Sequence, residues 1–173
     1  LEDIFDIEKI NIISTNVGGD FGGKIDITLA HHCSLMALIT GKKVKMSFSR
    51  QESIKYHNKR APMQIKITTA CDENGKFTAI KSIILADTGA YSTNGENMIQ
   101  RACIHMGGPY NYANVDIKGV ALYTNNITSS TYRGNCVEQV NFALESNINE
   151  LAQLVGISPW DIRYKNAVEF GDI

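Results

Sequence analysis

Residues 63–86 read MQIKITTACDENGKFTAIKSIILA, two alternating runs around a polar turn. Met63, Ile65, Ile67 and Thr69 alternate with polar neighbours, Asp72-Glu73-Asn74-Gly75 supplies turn chemistry, and Phe77 to Ala86 alternates again. A period of two on both sides of such a turn predicts a β-hairpin. Downstream, 115–124 reads as a further strand, separated from the hairpin by a short helix through Arg101 and the breaker Gly107-Gly108-Pro109. Val137, Val140, Leu144, Ile148, Leu151 and Val155 then recur at helical spacing, predicting a helix over 136–155 that Gly156 stops. Ser158-Pro159-Trp160-Asp161 restarts a helix, with Ser158 as N-cap and Pro159 at the first helical position.

Upstream, the β-branched run at 9–14 precedes a glycine cluster and a stretch free of Gly and Pro that ends at Gly41, which reads as strand, tight loop and helix. Val44, Met46 and Phe48 alternate as a half-buried strand ending at Ser49, an N-cap for the segment starting Arg50-Gln51-Glu52. The expected architecture is α+β, a mixed and mainly antiparallel sheet covered by helices over 26–40 and 136–155, with 1–173 as a single partial domain. The chain opens on Leu1 rather than Met and stops at Ile173 just after a helical pattern, which reads as a fragment or a split subunit.

Composition narrows the function. The 173 residues are 43% hydrophobic and 20% charged, which suits a packed core. Seventeen Lys and Arg against eighteen Asp and Glu leave a charge of -1, so no broad basic face exists for nucleic acid. Apolar runs such as Ile83-Ile84-Leu85-Ala86 fall far short of the ~20 residues that span a bilayer, and no signal-peptide core opens the chain. These features predict a soluble cytoplasmic setting without membrane or nucleic-acid partners. Cys33, Cys71, Cys103 and Cys136 lack the close C-x2-C pairs of zinc and iron-sulfur sites and read as small buried thiols. His31, His32, His57 and His105 assemble no metal pair or catalytic triad.

Two loops carry the chemistry. Val17-Gly18-Gly19-Asp20-Phe21-Gly22-Gly23-Lys24 lets backbone approach a ligand, and free N–H groups at such a turn favour anions. It satisfies most of a phosphate-binding loop, yet Ile25 stands where a Ser or Thr would hold Mg2+, so nucleotide binding is a minor alternative. Thr131-Tyr132-Arg133-Gly134-Asn135 places Arg133 before a helix N-terminus, where a cation calls for an anionic partner. Arg101 sits among Met98, Ile99, Cys103 and Ile104, with Asp87, Glu96 or a polar substrate as candidate partners.

Taken together, Gly19-x-Phe21-Gly22-Gly23-Lys24, Ile99-Gln100-Arg101-Ala102 with His105-Met106, and Tyr132-Arg133-Gly134 resemble the molybdenum-cofactor-binding subunit of the xanthine dehydrogenase and aldehyde oxidase family. Gln139, Phe142-Ala143-Leu144-Glu145-Ser146, Glu150-Leu151-Ala152, Pro159, Arg163 and Lys165-Asn166-Ala167 match the same family. The resemblance implies a molybdenum-pyranopterin cofactor, alone or in a dinucleotide form, with iron-sulfur clusters and FAD on other domains or subunits. It implies a hydroxylase that inserts oxygen from water into a C–H bond. Phe21, Gly22, Gly23 and Arg133 map to cofactor contacts. Ile25, Arg101 and Asn135 map to substrate positions: Ile25 replaces a glutamate of purine-oxidising members, Arg101 is retained, and Asn135 replaces a stacking phenylalanine. That mixed set argues against xanthine itself and for another N-heteroaromatic, an unusual purine or an aldehyde. The general base of the family matches no segment here, so the isolated chain is expected to be inactive and to need the remaining molybdenum-binding segments and the iron-sulfur and FAD subunits. Surfaces left open would allow self-association, and a degenerate, non-catalytic cofactor-binding module is the alternative.

Overall fold

The computed structural model of the chain describes residues 5, 10–27 and 29–172. It resolves into two compact units, 1–58 and 59–173.

In the first unit the described residues include two bounded helices, α1 (Ala30–Thr40) and α2 (Arg50–Tyr56). The strand expected over 9–14 does not form: Lys9 lies outside the described residues, and Ile10 to Ser14 is irregular, with Ile12 75% and Ile13 83% exposed. The strand expected at Val44–Phe48 is likewise irregular. Both runs have strand-like side chains, but a strand exists only when its N–H and C=O groups meet a neighbour, and no ladder reaches either run among the described residues. The first helix also begins later than expected, because 21–26 is held in turns. No residue of α1 is buried, so its apolar residues Leu35, Leu38 and Ile39 lie open. Ser49 caps α2 as expected: its hydroxyl accepts from the Glu52 amide at 3.2 Å, and the Glu52 carboxylate accepts from the Ser49 amide at 2.7 Å.

The second unit is built on a three-stranded sheet of order β1 (Met63–Cys71), β2 (Phe77–Gly89), β3 (Asn114–Tyr123). β1 and β2 form the expected antiparallel hairpin, in one register from Met63 opposite Ala86 to Ala70 opposite Ala79, with a shift before Cys71 opposite Phe77. Asp72 organises the turn, its carboxylate accepting from the amides of Asn74 (2.9 Å) and Lys76 (2.8 Å). β3 runs parallel to β2, with Ile80 opposite Val115 and Ala86 opposite Ala121. Parallel neighbours need a crossover, and α3 (Gly95–His105) supplies it. The sheet is therefore mixed, one antiparallel and one parallel pair.

Helices α3, α4 (Val137–Val155) and α5 (Pro159–Asn166) complete the unit. The core joins Ile80 and Ile84 of β2, Met98, Ala102 and Met106 along α3, Val140, Leu144, Ile148 and Ala152 of α4, and Ile162 of α5. Each of the Val, Leu, Ile and Met side chains, fully buried, contributes about 1.5–3 kcal/mol relative to exposure, and the two alanines less. The opposite sheet face is open at Ile83, Val120 and Leu122. Ser158 caps α5, its hydroxyl oxygen accepting from the Asp161 amide at 3.0 Å. Buried Asn166 ties that helix to the hairpin turn: its Oδ1 accepts from the Phe77 amide, and its Nδ2 donates to the carbonyls of Gly75 and Ile162, all at 2.8 Å. Tyr110 donates to Glu145 at 2.9 Å, and burial followed by that carboxylate pushes its hydroxyl up to about 12. All four cysteines are free; Cys136 is buried and the other three are half-buried.

Candidate functional site

The glycine loop is shaped from within. The Asp20 carboxylate accepts from the amide of Gly22 at 2.8 Å and from that of Lys24 at 2.6 Å, while its backbone carbonyl accepts from the Gly23 amide at 2.9 Å. The Lys24 ammonium turns back and donates to the Gly19 carbonyl at 2.6 Å. This corrects the expectation of a loop offering free amides. Three amides that a phosphate-binding loop would aim at its ligand are already used by Asp20, which also argues against nucleotide binding. What the loop presents instead is a side chain. Phe21 is left-handed (φ 54°) and its surface is 60% exposed, while Gly22 is buried at φ 94°. A left-handed non-glycine residue costs roughly 1–2 kcal/mol, and the Asp20 clamp is what holds Phe21 there. Ile25, next along, is 55% exposed.

The second loop is shaped from a distance. Residues 59–61 run beside 129–130: Lys59 and Ser129 form a parallel bridge, and the Ser130 amide donates to the Lys59 carbonyl at 3.0 Å. From this backbone Arg60 reaches the loop. Its Nη2 donates to the Arg133 carbonyl at 3.0 Å, its Nη1 to Glu138 Oε2 at 2.8 Å and Gln139 Oε1 at 3.3 Å, and its guanidinium lies 4.4 Å from the centre of the Tyr132 ring. On the other side Asn94, before α3, donates to Thr131 Oγ1 at 2.5 Å, and Thr131 donates to Asn135 Oδ1 at 3.1 Å. Between these anchors Gly134, Asn135 and Cys136 are all left-handed, at φ 88°, 50° and 76°. Consecutive left-handed residues are unusual in L-chains and persist only where surroundings over-determine them. A side chain on Gly134 would also overlap the Glu138 carboxylate.

The expected residues therefore fall into groups. Phe21, Gly22, Gly23 and Ile25 share the glycine loop of the first unit, and Arg133 and Asn135 share the second loop. Arg133 is exposed and Asn135 half-buried. Arg101 lies on α3, exposed and without a hydrogen bond or ion pair among the described residues. Its candidate carboxylates are engaged elsewhere, Asp87 by Thr124 and Asn126, and Glu96 by Gln100. Asp20, Arg60 and Asn94 were not singled out by the sequence. An Asx turn inside a glycine cluster was the available signal for Asp20; the other two act across the fold and leave none.

The family model of the molybdopterin cofactor-binding domain matches residues 4–167. The chain belongs to that family. It is 40% identical to a probable xanthine dehydrogenase component of Bacillus subtilis (strain 168), over 94% of this chain and 22% of that protein. It is also 40% identical to the nicotinate dehydrogenase large molybdopterin subunit of Eubacterium barkeri, over 94% of this chain and 38% of that protein. Among solved structures, the aldehyde oxidoreductase of Desulfovibrio gigas superposes with a TM-score of 0.86 at 33% identity, covering 90% of this chain and 17% of that one. The chain thus spans well under half the length of these relatives.

A pterin with a phosphate arm asks for an apolar surface, close backbone approach and a cation. In the first unit an exposed Phe21 stands beside the buried Gly22; in the second an exposed Arg133 precedes α4, and Ser130 Oγ, two residues from Tyr132, is buried without a hydrogen-bond partner among the described residues. Cys136 is a poor ligand for a metal: burial pushes its thiol up to about 11, so it stays protonated at neutral pH. Among the described residues no group of three or more His, Cys, Asp and Glu could hold a metal ion. No helix is long and apolar enough to cross a membrane among those residues.

Proposed function

We propose that the chain is the cofactor-facing portion of a cytoplasmic molybdenum hydroxylase, with 1–173 forming part of one larger cofactor-binding domain. The observation that carries this reading is the family match over 4–167, which runs through both loops. When bound, the molybdenum-pyranopterin would supply two-electron oxidation of a C–H carbon with oxygen drawn from water. Phe21 and Gly22 wall the cofactor, with Gly23 keeping the turn tight, and Arg133 pairs with its anionic part. Arg101, exposed and unpaired among the described residues, serves as the polar anchor for substrate. Ile25 contributes apolar surface in place of an acid, and the Asn135 amide contributes a polar edge in place of an aromatic wall. This set favours an N-heteroaromatic other than xanthine, or an aldehyde. Electrons leave through iron-sulfur and FAD partners. The general base comes from outside the chain, so the isolated segment is inactive.

The test is to purify the full-length subunit with its partners, measure molybdenum and pterin fluorescence, and assay purines, nicotinate-like acids and aldehydes in isotope-labelled water. Near-stoichiometric molybdenum and labelled oxygen in the product are the expected results. Absence of molybdenum and pterin would favour the degenerate module, and turnover by residues 1–173 alone would overturn the assignment of the base.

A further inference from the structure

We propose that Arg60 is a positioning residue for the cofactor: its guanidinium sets the backbone of Tyr132-Arg133-Gly134 and so fixes the direction in which Arg133 is presented. The proposal rests on reading that loop as cofactor-facing.

Four observations converge on Arg60. First, its own backbone is held, because Lys59 bridges Ser129 and accepts from the Ser130 amide, while the Ala61 carbonyl accepts from Gln139 Nε2 at 3.2 Å. Second, the contacts of its guanidinium go to the loop and to the first turn of α4 that follows it: the Tyr132 ring, the Arg133 carbonyl, Glu138 and Gln139. Third, the bond to the Arg133 carbonyl acts on the residue adjoining the left-handed run at Gly134, Asn135 and Cys136, where backbone strain needs an outside restraint. Fourth, the ion pair to Glu138 is half-exposed, 32% and 46% on the two side chains. An exposed pair adds little to global stability, so the geometry it imposes matters more than the energy it adds. The pair also holds the Glu138 carboxylate against Gly134, where no side chain could fit. A planar fork reaches a carboxylate, an amide oxygen, a carbonyl and an aromatic face at once, which a lysine ammonium cannot reproduce.

The experiment compares R60A, R60K and E138Q with the wild type in the full-length subunit and its partners. It reads amide hydrogen exchange over 131–136, molybdenum content, the Mo(V) paramagnetic signature and the thermal unfolding midpoint. The expected result for R60A and R60K alike is severalfold faster exchange over 131–136, molybdenum content down roughly tenfold, an altered Mo(V) signature in the remaining fraction and a midpoint close to wild type. E138Q, which keeps the bond to the Arg133 carbonyl, is expected to stay near wild type in molybdenum content. Full rescue by R60K would overturn the proposal, since charge alone would then suffice. So would faster exchange in R60A with molybdenum and its signature unchanged, because Arg60 would then be structural only. A wild-type protein without molybdenum would sink the cofactor reading itself, an outcome distinct from either.

Discussion

The glycine loop at 18–24 is folded by Asp20, a residue inside it, whereas the loop at 129–136 is folded by Asn94 and Arg60, which lie 37 and 73 positions from their contacts. The first is turned by hydrogen bonds within its own sequence, and it displays an exposed aromatic ring. The second takes a strained, left-handed path that its own sequence would not choose, and it borrows rigidity from the sheet and from α3 and α4. Local clamping keeps a shape when the surroundings change, while remote anchoring couples a loop's shape to the integrity of the core beneath it.

Damage to that core is the severest way to break the contrast. Leu144→Ala removes a fully buried side chain from α4 and should cost about 2–5 kcal/mol in denaturant unfolding of this chain. Exchange at 131–136 should quicken with it while the amides of Gly22 and Lys24 keep their protection; equal loss in both loops would erase the distinction. Asn166→Ala strands the Phe77 amide and the Gly75 carbonyl, groups tied to a fully buried side chain, and is expected to cost about 1–3 kcal/mol by the same measurement. Asp20→Ala attacks the self-clamped loop. Its expected cost is under about 1 kcal/mol, with exchange accelerated at Gly22 and Lys24 and untouched at 131–136. Spread of that effect to the second loop would refute purely local clamping.

The smallest effect is a pH dependence. Hydrogen bonds from Thr124 first and Asn126 second, with the Gly89 amide, hold the Asp87 carboxyl below its ordinary value. A folded-state value below the unfolded one means that this stabilisation is present above the ordinary carboxylate range and is lost as pH falls through the depressed value. Asp87→Asn should therefore flatten the acid limb of the stability curve and slightly loosen 124–129, the segment that leads into the anchored loop. An unchanged acid limb would show that Asp87 does not hold that segment.

Much of the second unit was legible because its signals are local. The Asp72-Glu73-Asn74-Gly75 turn, the α4 stripe ending at Gly156 and the Ser158 cap each specify a structure within a few residues. The runs at 9–14 and 44–48 misled because side-chain alternation reports faces, not the presence of a neighbour to pair with. The parallel setting of β3 was hidden for the same reason, since strand direction depends on the route of α3 across the sheet. Within the site, Phe21, Gly22 and Arg133 stood out by composition and resemblance. Asp20 carries only the local signal of an Asx turn within a glycine cluster, and the amides it occupies change what the loop offers. Arg60 is one arginine among seventeen basic residues, distinguished only by what the fold brings to it.

The placement of Arg60 also imposes an order on assembly. The β1–β2 hairpin closes over a short turn, the β2–β3 pair must await its crossover, and the Arg60 to Arg133 bond joins residues 73 positions apart. Closure entropy rises with loop length, and non-local contacts are rewarded only after that cost is met. On those costs the left-handed run at 134–136 is expected to be among the last parts of the chain to take shape, set once the sheet and helices that carry its anchors already stand.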